Sequence, residues 1–114
     1  MEKYNNFINN KWIESESKET IKVDDPSNGK IIGEISCAKK NEVDLAVEAA
    51  KNSYNSRVLV DMPLLSRAKL MRKIAEETRK VSKEGGELLC YENGKNIASA
   101  IKEFNDVADM FDYY

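Results

Sequence analysis

The hydrophobic period of this chain changes once, near Lys40, which confines it to strands first and helices afterwards. "FINNKWI" sets Phe7, Trp12 and Ile13 around Asn9-Asn10, two residues that tolerate positive φ, and so predicts a tight hairpin. "ETIKVDD" alternates Ile21 and Val23 with Thr20 and Lys22, the pattern of a half-buried strand. Pro26 suits the second position of a four-residue turn, and Asn28-Gly29 can take left-handed conformations. The return run "KIIGEIS" carries Ile31, Ile32 and Ile35. Residues 1–40 are therefore expected to form a small antiparallel β unit.

From residue 41 to 114 the spacing is helical. Asn41 followed by Asp44 resembles a capping arrangement, and Val43, Ala46, Val47 and Ala50 make an apolar stripe that fades near Tyr54-Asn55. Pro63 favours a helix start after the connector "RVLVDMP". The next helix, from Leu64 to about Ser82, follows Leu70, Ile74, Thr78 and Val81, and Gly85-Gly86 is expected to interrupt it. A shorter helix through Leu88, Leu89 and Glu92 then meets Gly94 as a C-terminal cap. Last, Ile97, Ile101, Phe104, Ala108 and Phe111 define one buried face, widened by Ala100, Val107 and Tyr114. That stripe reaches Tyr113-Tyr114 without a capping Gly or Pro, so the natural sequence is expected to continue.

Residue content narrows the chemistry. With 114 residues the chain is one small domain or part of a larger one. Its 18 basic and 20 acidic residues leave a net charge of −2, with no bias toward nucleic acid or an anionic membrane. No apolar run approaches the roughly 20 residues of a membrane span, and "MEKYNNFINN" lacks a signal-peptide core, so a cytoplasmic location is expected. The absence of histidine excludes Ser-His and Cys-His machinery and His-ligated metals within these residues. Cys37 and Cys90 form no framework and read as small packing residues. "PSNGKIIG" lacks the spacing of either glycine-rich phosphate loop and leads into a strand, so it reads as a bend. The basic run Arg67, Lys69, Arg72, Lys73, Arg79, Lys80 and Lys83 is diluted by Glu76, Glu77 and Glu84 and reads as a solvated face. "ENGK" offers Glu92 as a base and Lys95 as an anion ligand, against the plainer reading of a helix C-cap.

Five segments in order resemble the N-terminal portion of the aldehyde dehydrogenase superfamily: "FINNKWI", "VDDPSNGKIIGEISCA", "NEVDLAVEAAKNSY", "PLLSRAKLMRKIAEET" and "YENGKNIASAIKEFNDVADMFDYY". Asn28, Lys30 and Asn96 depart from the family's commoner residues, and "SRVLVDM" lacks its usual tryptophan. The resemblance implies an α/β fold: an N-terminal β-hairpin unit plus four helices of a truncated subunit of Rossmann type. It implies NAD(P)-dependent oxidation of a small-molecule aldehyde by a thiolate, in a cytoplasmic homodimer or homotetramer. Neither cysteine here has the family's Gly-Gln-x-Cys surroundings, so the catalytic thiol, the base and the NAD or NADP site are expected outside residues 1–114. No cofactor is expected to bind this stretch alone. The resemblance also implies a monovalent cation near the Asp24 carbonyl and the Glu92 carboxylate, and a substrate tunnel bordered by Asp106 or Met110. The alternative is a free-standing helical interaction module without enzymatic activity.

Overall fold

The computed structural model describes residues 2–114. The chain divides into two compact units, one of residues up to Asp24 with Lys30–Val60, the other of Asp25–Gly29 with Asp61–Tyr114. In this division the first helix groups with the strands.

In the first unit, β2 (Asn6–Ile8) and β3 (Lys11–Ile13) pair antiparallel with Phe7 opposite Trp12. Asn9 and Asn10 sit at φ 50° and 60°. Two consecutive left-handed residues match the twist of the flanking strands, which is why Asn-Asn makes this hairpin. The Phe7 and Trp12 rings pack with centroids 4.9 Å apart, on exposed side chains, while Ile8 is buried. A second sheet has the order β1-β5-β4, formed by β1 (Glu2–Tyr4), β4 (Thr20–Asp25) and β5 (Lys30–Ser36). β1 runs parallel to β5, with Glu2 opposite Gly33 and Tyr4 opposite Ile35. The wholly antiparallel unit expected over residues 1–40 is thus a mixed one. Parallel partners need no tight turn between them and leave no local signature. Ile21, on the face expected to be half-buried, is exposed, and so are Ile31 and Ile35 of the return strand.

Helix α1 (Lys40–Asn55) packs beside β2. Its N-cap is Lys39, with Glu42 reaching back as the third helical residue. This replaces the expected Asn41–Asp44 arrangement, and Asp44 instead pairs with Lys40 one turn away.

The second unit holds α2 (Leu64–Lys80), α3 (Ser82–Asn93) and α4 (Ile97–Tyr113), with α4 packed on both others. α2 starts after Pro63 as expected, but it breaks at Val81, and Gly85-Gly86 lie inside α3. Tertiary packing explains the correction. A Cβ on Gly86 would sit 2.9 Å from the backbone N and Cα of Ile101, and one on Gly85 would overlap the Phe104 ring. The two glycines do not end a helix here; they let α4 approach. Ala75, Ala100 and Ala108 are fully buried, so these helices meet through small residues. Phe104 and Phe111 are half-buried on the expected face of α4, whereas Ile97, Val107 and Tyr114 are exposed and the stripe is narrower than its sequence implied. Gly94, at φ 71°, caps α3 as its position foretold.

Candidate functional site

The turn after β4 is the first place to look for anion binding, and its amides are already engaged. The Asp25 carbonyl accepts from Gly29 N at 2.7 Å and Asn28 N at 3.2 Å. Its carboxylate accepts from Ser27 N and from Asn28 Nδ2, both at 2.8 Å. Gly29 takes φ 70°, the left-handed geometry this bend requires. Aspartate at the head of the turn therefore does what a phosphate would do in a nucleotide loop. The starts of α1 and α4 are occupied as well. The Asn96 side chain accepts from Ala98 N at 2.9 Å and Ser99 N at 3.4 Å, which closes the start of α4. The Glu42 carboxylate sits over the start of α1. A nicotinamide dinucleotide needs free amides for its pyrophosphate, so these elements do not fit it.

Neither thiol is set up as a nucleophile. Cys90 Sγ is engaged with the Lys95 carbonyl, donating to it at 2.9 Å. Cys37, just past β5, is half-buried, and its backbone N donates to the Glu19 carbonyl at 2.9 Å. Lys95, the candidate anion ligand, is ion-paired with Glu103. Asp106 pairs with Lys102 at 2.5 Å, and Met110 is exposed on α4. In the basic run, Arg79 bridges Asp109 at 2.6 Å and Asp112 at 2.7 Å, which raises its pKa, and Lys80 pairs with Glu77 at 2.8 Å. Asp24 is exposed on β4 and Glu92 is exposed on α3. Among the described residues no three His, Cys, Asp or Glu side chains gather closely enough to hold a metal ion.

The most tightly held ionisable group is one the sequence did not single out. Glu42 is only 2% exposed. Its Oε1 accepts from Glu16 N at 2.8 Å and from the Ser15 hydroxyl at 3.2 Å, and its Oε2 accepts from Lys39 N at 2.8 Å. Ser15 is buried too. The backbone donors of Glu16 and then Lys39 hold the Glu42 carboxyl below its ordinary value, against the opposing pull of burial. The residue fastens the loop after β3 to the head of α1. It serves the fold and has no reacting partner. Its only signal in the sequence is a Glu three residues after the helix boundary, obscured because the boundary residue is Lys rather than Ser, Thr or Asp.

The sequence model of the aldehyde dehydrogenase family matches residues 12–114, and the chain belongs to that family. It is 33% identical over 108 residues to the D-glyceraldehyde dehydrogenase (NADP(+)) of Picrophilus torridus, covering 95% of this chain and 22% of that protein. It is 35% identical over 98 residues to the malonate-semialdehyde dehydrogenase of Bacillus cytotoxicus, covering 86% of this chain and 20% of that protein. The crystal structure of an NAD-dependent aldehyde dehydrogenase from Sinorhizobium meliloti superposes with a TM-score of 0.90 at 27% identity, over 99% of this chain and 23% of that one. The chain thus spans about a fifth of the length of the relatives it matches. No helix among the described residues is long and apolar enough to cross a membrane.

Proposed function

We propose that these residues are the N-terminal portion of an NAD(P)-dependent aldehyde dehydrogenase, oxidising a small-molecule aldehyde to the acid, and that they supply scaffold rather than chemistry. The observation that carries the reading is the match itself: nearly the whole chain aligns, to about a fifth of each relative. The engaged amides of the Asp25 turn and the hydrogen bond from Cys90 Sγ to the Lys95 carbonyl support the scaffold role. The matched relatives act with NADP(+) in one case and NAD in another, and either dinucleotide is compatible with this reading. Residues 1–40 and 41–114 act as the β unit and the helical flank of the cofactor domain, in a cytoplasmic homodimer or homotetramer with no nucleic-acid or membrane partner. The Asp24 carbonyl and Glu92 carboxylate help hold a monovalent cation; both are hard oxygen donors, which suits such an ion.

Two measurements test this. The 114-residue chain, mixed with NAD+ or NADP+ and a panel of aldehydes, is expected to form no NAD(P)H above blank, and turnover would overturn the scaffold role. The natural protein, isolated with an antibody raised against residues 12–114, is expected to reduce NAD+ or NADP+ with an aldehyde, and failure to do so would overturn the family activity. For the cation, sodium or potassium chloride should raise the melting temperature above that in choline chloride of equal ionic strength. That difference should vanish in Glu92→Gln.

A further inference from the structure

Helix α1 touches its own unit through a narrow face. Glu42 is buried and Ala49, two turns on, is half-buried, while the other residues of the helix are exposed. One position round from that face runs the helix's apolar stripe of Val43, Val47, Ala50 and Tyr54, spaced four, three and four. It lies open, with Val43 52%, Val47 62% and Tyr54 79% exposed. Val58, Leu59 and Val60, next along the chain in the same unit, are exposed too. Leaving apolar side chains of this size in water is unfavourable, so an uncovered row of them marks an interface.

We infer that this stripe is a docking face, and that its occupant is the remaining polypeptide of a family-length subunit rather than a second copy of this chain. Length is the first argument. The chain accounts for 22% of the D-glyceraldehyde dehydrogenase it matches, so most of a family-length subunit lies outside it. Area is the second. A 16-residue helix is about 24 Å long, and one row of side chains about 10 Å wide presents roughly 240 Å², against about 800 Å² per partner in a stable two-chain interface. A covalently joined segment covers a patch of that size without the entropy loss of association.

The inference rests on the proposed function, and its test separates the two. The 114-residue chain is coexpressed with the Picrophilus torridus D-glyceraldehyde dehydrogenase from which the aligned segment has been deleted. The unsubstituted chain is expected to copurify with that polypeptide, and the double variant Val43→Asp/Val47→Asp to do so at least tenfold less. Both positions are on the solvent face of α1, and circular dichroism checks that the variant keeps its helices. Alone, the unsubstituted chain should bind an apolar dye several-fold more than the variant. Equal capture of both, or no capture of the unsubstituted chain, overturns the inference. So does a dimer of the chain alone that Val43→Asp/Val47→Asp dissolves, since the occupant is then a second copy. Capture that depends on Val43 and Val47 but yields no aldehyde oxidation upholds the docking face and counts against the proposed function.

Discussion

The two units are held together by opposite means. In the helical unit the three helices bury Ala75, Gly86, Ala100 and Ala108, with the Phe104 ring laid over Gly85, and their cohesion comes from close approach. The buried carboxylate of this unit, Asp25, lies in its turn and not among the helices. In the strand unit the buried side chains are mostly polar: Ser15, Ser36 and Glu42, with Ile8 the apolar exception. A unit fastened by a buried carboxylate depends on that group's charge, whereas one fastened by van der Waals contact depends on shape. The difference teaches that helical spacing alone does not distinguish a self-contained core from an uncovered one. α1 and α4 both carry regular stripes, yet α4 buries the middle of its own and α1 leaves its stripe in water.

The sharpest way to break this contrast is to fill the closest approach. Gly86→Val should destabilise the helical unit by about 3 kcal/mol, because the new side chain meets Ile101 backbone that cannot yield. Chemical denaturation followed by helical circular dichroism measures it, and a near-neutral result would mean α3 and α4 are not held this closely. Next in size is Glu42→Ala, which orphans the amides of Glu16 and Lys39. Hydrogen exchange should show those two amides losing protection while α3 and α4 keep theirs.

pH sharpens the same comparison. The Glu42 carboxyl titrates below its ordinary 4.5 in the folded chain, so the ionised form favours folding. That stabilisation is fully present above the unfolded carboxylate value and is lost as pH falls through the lower, folded value. Below about pH 4 the strand unit should therefore open before the helical unit, and Glu42→Gln should flatten the dependence. Smaller still is Asn96→Ala, which removes the cap of α4 and should cost about 1 kcal/mol. Smallest is Arg79→Met. Its ion pairs with Asp109 and Asp112 are solvent-screened, and the melting temperature should fall by about 2 °C or less, and less again in high salt.

Local features were legible because their causes are local. The Asn9-Asn10 hairpin, the bend at Gly29, the start after Pro63 and the cap at Gly94 each follow from φ preferences of one or two residues. Family membership was legible for a similar reason, since ordered short motifs survive in sequence without reference to contacts. The candidate site was less so. Asp25's double role at the turn depends on the path of four following residues, and nothing in "DPSNG" announces that the amides of Ser27, Asn28 and Gly29 are all engaged.

Sequence by itself determined most of the elements and the kind of chain: strands, then helices, without histidine or a nucleotide loop, in the order of one enzyme family. Tertiary structure alone decided that β1 joins β5 in parallel, that Gly85-Gly86 belong inside a helix, and that Glu42 is the anchor of the strand unit. The physical reason is common to all three. Each depends on what a residue meets across a long stretch of chain, and the energy of that meeting outweighs the residue's own conformational preference.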